Sequence, residues 1–164
     1  MKFRALSEDE REIVRKASKD YGLNIDTALK GKKLITVAAG RREVFATNRQ
    51  TVKILEKMGR DPYCAGLYIG EIRGKKFKLD LEGAYLIASL AGKKVVVSEE
   101  AEQLVLYGRD VFSKSVVSAG DLRKGDKCII VNRFGDALAL GRVVGGQIFV
   151  ENIKDRGWYL RRGR

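Results

Sequence analysis

From Lys94 onward, Gly108, Gly125, Gly135, Gly145-Gly146 and Gly157 cut the chain into short apolar runs of five or six residues. Turn glycines this close together between such runs are what a small closed barrel of strands needs. One helix interrupts them. Ser98 is placed to cap it, Ala101, Leu104 and Val105 share one face, and Gly108 suits the stop, so a helix is expected over residues 99–107. Lys124-Gly125-Asp126 reads as the turn into a central strand over 127–132. No Pro/Gly/Ser-rich linker precedes this region, so a short hinge near Gly92 divides the chain into a first domain, 1–92, and a second, 93–164.

The first domain reads as α+β, a mostly antiparallel sheet flanked by helices. Ser7 and Glu10 have capping-box spacing, and Ile13, Val14, Ala17 and Tyr21 follow at helical intervals up to Gly22. The rest of that helix is charged, which puts it on the outside of a sheet. Residues 34–38 and 43–47 read as strands joined through Ala39-Gly40-Arg41. Thr47 and Gln50 repeat the capping-box spacing ahead of a helix, 48–58, with Val52, Leu55 and Ile54 inward and Gly59 as its stop. Residues 65–73 and 76–81 form the clearest hairpin, around Gly74, with Leu67 and Ile69 alternating on one strand and Phe77, Leu79 and Leu81 on the other. A short apolar helix, 84–91, then runs to Gly92. Asp80 and Glu82 sit at a strand end and a helix start, which suits capping better than a catalytic carboxylate pair.

Lys and Arg total 33 against 21 Asp and Glu, a net charge of +12 and a pI near 9.8, which points to a polyanionic partner. The excess is +8 through Lys93 and +4 after it, so it is not confined to the barrel-like end. Excess charge also favours a monomer. With no histidine, the usual base, shuttle and zinc ligand is missing, and every Ser/His/Asp or Cys/His arrangement goes with it. Cys64 and Cys128 are too few for a four-cysteine zinc site and read as buried free thiols in a reducing cytoplasm. Gly120 and Gly125 have P-loop spacing, but Asp126 stands where a phosphate-binding lysine is required. The charged start lacks a secretory apolar core, and no run is long or apolar enough to cross a bilayer. The expectation is a cytoplasmic protein that is not an enzyme and uses no cofactor or metal.

Three linked patterns carry a resemblance. They are Val97-Ser98-Glu99-Glu100-Ala101-Glu102-Gln103-Leu104-Val105-Leu106-Tyr107-Gly108-Arg109-Asp110-Val111, Lys124-Gly125-Asp126-Lys127, and Asp155-Arg156-Gly157-Trp158-Tyr159-Leu160-Arg161-Arg162. Together they resemble a PUA domain, a small RNA-binding pseudo-barrel. With Gly70-Glu71-Ile72 and Phe77-Lys78-Leu79-Asp80-Leu81-Glu82-Gly83 upstream, the whole chain resembles the Nip-seven family of large-subunit ribosome-biogenesis factors in its archaeal form. That resemblance implies a role in pre-rRNA processing and the binding of uridine- or adenine/uridine-rich single-stranded RNA. It also implies contacts with biogenesis or RNA-exosome proteins through the first domain.

In PUA domains the RNA surface is built from the helix, the glycine-led loop after it and the last strand, so the resemblance makes Arg109 and Lys114 phosphate contacts. Read without it, the loop is solvated and Arg109 pairs with Asp110. The final fourteen residues mix five cations with the only tryptophan. Guanidinium groups neutralise phosphates and aromatic faces accept any base, which is the chemistry single-stranded RNA requires. Lys154, Arg156, Arg161 and Arg162 are the candidate phosphate contacts here, with Trp158 and Tyr159 as stacking groups. In a strand, Leu160 is the natural core residue and would draw Trp158 inward, leaving Tyr159 with Arg161 outside. The family pattern instead leaves the Trp158 position unspecified, which suits an exposed side chain. Cations at Lys30-Gly31-Lys32-Lys33, Arg41-Arg42 and Arg73-Gly74-Lys75-Lys76 either extend an RNA track or block sheet-to-sheet association. Two other functions stay open: a protein-binding scaffold with little RNA affinity, and a subunit of an RNA-modifying enzyme.

Overall fold

The computed structural model describes residues 3–39, 41–59 and 62–162, and the chain divides into two units. Unit 1 comprises Met1–Lys19 and Asn24–Leu86; unit 2 comprises Asp20–Leu23 and Ile87–Arg164.

Unit 1 holds β1 (Phe3–Ala5), α1 (Glu8–Lys19), α2 (Ile25–Ala28), β2 (Lys33–Ala39), β3 (Arg41–Thr47), α3 (Arg49–Lys57), β4 (Leu67–Arg73), β5 (Lys76–Leu79) and α4 (Leu81–Ile87), which crosses into unit 2 at its last residue. The five strands form an antiparallel meander in chain order. The capping box forms as expected: Ser7 N donates to Glu10 Oε2 at 2.9 Å and Glu10 N to Ser7 Oγ at 3.3 Å. Val14 buries the apolar stripe of α1, which packs beside β4 and β5. On the α3 side, Ile35, Val37, Phe45 and Ala65 form the core, with Phe3, Val52, Leu55 and Tyr68 against them.

Several expectations are corrected here. Asn48, not Thr47, caps α3, its Oδ1 accepting from Thr51 N at 2.8 Å. Ile54 is exposed, because Val52 and Leu55 already cover the sheet. α4 begins at Leu81, whose N donates to Asp80 Oδ1 at 2.7 Å, and gives way after Ile87 to a turn in which Leu90 N and Ala91 N both return to Ile87 O. β1 and α2 carry too few residues to show a period. Cys64 is exposed rather than buried. Gly40 of the expected hairpin lies outside the described residues.

Unit 2 holds β6 (Lys94–Val97), α5 (Glu99–Leu106), β7 (Val111–Phe112), a 3-10 turn (Ser113–Ser115), β8 (Val116–Ala119), β9 (Lys127–Val131), β10 (Ala137–Val143), β11 (Ile148–Asp155) and α6 (Trp158–Arg162). The strand order is β7-β11-β10-β9-β6-β8, antiparallel except for β6 beside β9. The two outermost strands, β7 and β8, are joined by the 3-10 turn, so the sheet curls into the nearly closed pseudo-barrel that the glycine spacing predicts. Val95, Val97, Ala101, Val105, Cys128, Ile130 and Val150 fill it. Burial pushes the Cys128 thiol up to about 12. Residues 20–23 are tied into this unit: Lys93 N donates to Tyr21 O at 3.1 Å, and Lys127 Nζ pairs with Asp20 at 2.8 Å.

Leu104 is exposed (51%), and Leu106 packs against the core instead, because α5 presents Ala101 and Val105 squarely to the barrel. The larger correction concerns the C-terminal segment. Strand β11 ends at Asp155 and residues 158–162 are helical, so the expected strand alternation of Trp158, Tyr159, Leu160 and Arg161 does not exist. Leu160, expected in the core, is 84% exposed, and Trp158 is half-buried. Gly157 sits so close to the Leu106 carbonyl oxygen that a Cβ would overlap it. A turn there brings Arg161 back over Asp155, which continued strand would carry it away from.

Candidate nucleic-acid interface

Helix α5 ends with Gly108 at φ +82°, Gly108 N donating to Val105 O at 2.9 Å and Arg109 N to Leu104 O at 3.0 Å. This left-handed cap satisfies the last carbonyls and turns the chain sharply outward. Asn152 on β11 holds the loop that follows. Its Nδ2 donates to Val105 O at 2.9 Å and Arg109 O at 3.2 Å, and its backbone N donates to Asp110 Oδ1 at 2.8 Å. Asp110 therefore engages the β11 backbone rather than Arg109, whose exposed guanidinium has no ion-pair partner among the described residues.

The end of β11 is bracketed to the end of α5 by α6. Asp155 is buried, and Arg161 grips it from both nitrogens, Nη1 to Oδ1 at 3.1 Å and Nη2 to Oδ2 at 2.7 Å. Nη1 also donates to Leu106 O. The Asp155 carboxylate raises the guanidinium pKa still further above its ordinary value. A Cβ on Gly108 would come within 3.1 Å of Arg161 Nη2, which places the outward bend directly beside the bracket.

Two aromatic rings stand on α6. Trp158 and Tyr159 meet edge to face, centroids 5.5 Å apart at 78°, and Lys154 Nζ lies 4.7 Å from the Trp158 centroid and 6.0 Å from that of Tyr159. A cation over an indole ring is worth about 0.5–1 kcal/mol at an exposed site, enough to hold the ammonium beside the rings. Tyr159 keeps 46% of its surface open.

Of the residues singled out from sequence, Arg109, Lys154, Trp158, Tyr159 and Arg161 gather where α5, β11 and α6 meet. Arg156 is exposed on the link between β11 and α6. Lys114 is separated from them. Its 3-10 turn is fastened to the tip of the β10–β11 hairpin by Ser113 N donating to Gln147 O at 3.0 Å, at the opposite end of β11. Along the strand that is roughly 20 Å from Lys154. The Arg162 side chain lies outside the described residues. Sequence reasoning missed Asn152, for which the only local signal is a lone amide between Glu151 and Ile153. Among the described residues no cluster of His, Cys, Asp and Glu could hold a metal ion, and no helix is long and apolar enough to cross a membrane.

The family model described as the UPF0113 PUA domain matches residues 93–164, and that described as the NIP7/UPF0113 pre-PUA domain matches residues 3–81. A UPF0113 protein of Archaeoglobus fulgidus is 32% identical over 171 residues, covering 98% of this chain and 95% of that protein. A solved structure of a conserved PUA domain protein from Thermoplasma acidophilum superposes with a TM-score of 0.63 at 20% identity, covering 94% of each chain, which is a likeness of fold. A tRNA-guanine(15) transglycosylase of Thermococcus onnurineus is 31% identical over 111 residues, 64% of this chain but 19% of that enzyme. With both family models matched in order along nearly the whole chain, and a full-length relative at this identity, the chain belongs to the NIP7/UPF0113 family, a pre-PUA domain followed by a PUA domain.

Proposed function

We propose that this protein is an RNA-binding assembly factor in large ribosomal subunit biogenesis and pre-rRNA processing, gripping single-stranded uridine- or adenine/uridine-rich RNA through residues 93–164. Family membership supports the biogenesis role. The observation that carries the RNA reading is the Lys154–Trp158–Tyr159 cluster, a cation over two aromatic faces at the α6 bracket, with the Arg109 loop fastened to the same strand through Asn152 and its guanidinium making no ion pair among the described residues. Arg109, Lys154 and Arg156 neutralise phosphates, Tyr159 and Trp158 stack bases, and Arg162 is a further phosphate contact. Arg161 positions the bracket through Asp155, and Lys114 meets the strand farther along β11. Residues 1–92 carry contacts to biogenesis or exosome proteins.

The test is a salt series on the whole chain with a labelled oligouridine. Affinity falls by about 0.7 logarithmic units per tenfold salt for each phosphate neutralised, so Arg109→Ala with Lys154→Ala flattens the slope by about 1.4. An unchanged slope removes both residues from the interface.

One observation favours a scaffold role beside this. Phe134 is 90% exposed at the β9–β10 turn, which is held stiff from below: Asn132 Oδ1 accepts from Phe134 N at 3.0 Å and Asp136 N at 2.9 Å, and its Nδ2 donates to Glu102 at 3.3 Å. A large apolar ring held out on an ordered turn suits a protein partner. Phe134→Ala that loses partners without losing oligouridine would assign it to them. The transglycosylase likeness covers 19% of that enzyme, too small a part to carry its activity.

A further inference from the structure

Five cations of unit 1 come together at the start of β2, beyond the end of β1, from three separate elements. Arg49 and Lys53 are four apart on α3 and so share a helix face, Lys33 opens β2 with Lys32 just before it, and Arg11 comes from α1, its Nε donating to Leu6 O at 3.4 Å. They wall two adjoining hollows. The larger, about 360 Å³, has Ile35 and Val52, packed together on the α3 side of the sheet, in its apolar lining and is flanked by Arg11, Lys33, Arg49 and Lys53. The smaller, about 90 Å³, shares Arg11, Lys33 and Leu34 and adds Lys32.

Counter-charge is nearly absent. Asp26, on the smaller hollow, already holds Arg15 Nε at 2.7 Å, which leaves Glu56 as the one acid among the described lining residues without such a partner. Lys32, Lys33, Arg49 and Lys53 make no ion pair among the described residues. Elsewhere in unit 1 arginines are paired, Arg4 and Arg42 on Glu10 and Arg73 on Glu71, whereas Arg49 in the groove has no such partner among the described residues. Like charges brought together without partners repel, and lysines that merely protect a sheet edge do not need a shared concave floor. The larger hollow falls within the range of small-ligand sites, and an apolar floor ringed by cations matches a base flanked by its phosphates.

We propose that this groove binds one nucleotide step of single-stranded RNA, Lys33, Arg49 and Lys53 holding the backbone phosphates and Val52 supporting a base. It shares no residue with the Arg109–Trp158 face and is tested separately from it.

The experiment measures a labelled oligouridine of roughly 16 nucleotides binding to the whole chain over a salt series. The triple variant Lys33→Ala, Arg49→Ala, Lys53→Ala is expected to flatten the slope by about 2, while Lys33→Arg, Arg49→Lys, Lys53→Arg keeps it. Both variants keep the wild-type melting temperature, because exposed cations add little to stability. RNA carrying 4-thiouridine is expected to crosslink to a peptide within residues 33–56. An unchanged slope in the alanine variant, or crosslinks confined to other peptides, overturns the groove whatever Arg109→Ala with Lys154→Ala does. If only that second pair loses its effect, the groove stands and the unit 2 face falls. Polyglutamate displacing the RNA at equal charge concentration would assign the groove to an acidic protein segment and overturn it as an RNA site.

Discussion

Arg161 closes on the buried carboxylate of Asp155 through two nitrogen–oxygen contacts, 3.1 and 2.7 Å, six residues on from it. Bidentate pairing of this kind fixes orientation as well as charge, so the guanidinium pins the last helix to the barrel. Arg161→Ala leaves Asp155 buried without its partner and is expected to lower the melting temperature by roughly 5 °C. Arg161→Lys, a point charge without the planar fork, restores less than half of that. Thermal unfolding followed by circular dichroism checks both; equal melting temperatures for all three proteins would remove the pin.

Gly157 meets the same bracket from the backbone side. Its hydrogen faces the Leu106 carbonyl oxygen, where a methyl group has no room, and that nearest neighbour is backbone and cannot swing aside as the Arg161 guanidinium could. Gly157→Ala is expected to cost about 2 kcal/mol and to release α6. Hydrogen exchange is the readout: amides of residues 158–162 lose protection while those of β9 and β10 keep theirs.

In unit 1, Glu10 is buried against Arg4, whose guanidinium lowers the carboxyl pKa to about 2, with Ser7 N and Arg42 adding to the effect. A carboxyl with a depressed folded-state pKa contributes stability that is fully present above its unfolded value near 4.5 and is lost as pH falls toward 2. Because Arg4 is partly exposed, the contribution is about 2 kcal/mol. Urea unfolding of the wild type should weaken from pH 5 to pH 2, and Glu10→Gln should be weaker at pH 5 and flatter across that window. Parallel pH profiles for the two would exclude Glu10 as the titrating group.

Asn132 is the hub of the β9–β10 turn, accepting from two backbone amides and donating to Glu102 and Asp136, each at 3.3 Å. Asn132→Ala strands those amides and should cost about 2 kcal/mol. Asn132→Asp keeps the acceptor but brings a third carboxylate against Glu102 and Asp136. Its penalty should therefore be larger at pH 7 than at pH 4, measured by urea unfolding at both.

Much of this architecture is written locally. Ser7 with Glu10, Ser98 with Ala101 and the left-handed Gly108 act within one turn of chain, so a residue pattern suffices to find them. Alternation along β5 and the Gly74 turn expose the β4–β5 hairpin, although β4 itself does not alternate and Leu67 is exposed, and closely spaced glycines announce a barrel. The candidate interface was half legible in the same way: cations and aromatics could be named, because their chemistry does not depend on where they sit.

Their arrangement is another matter. Whether Trp158 to Arg162 continues a strand or coils into α6 turns on contacts with Leu106 and Asp155, the first of them more than fifty residues away from Arg161. Leu160 looked like core because alternation assumes a strand; a helix turns it to solvent. Lys114 and Lys154 looked like neighbours in purpose, yet β11 holds them apart by its own length. Residue types and short-range spacing thus settled the two-part α+β and barrel design, the caps and the basic character. Which cations share a face, and which already hold a carboxylate, depended on long-range closure, because an ion pair or a backbone collision between distant segments leaves no period in the chain that makes it.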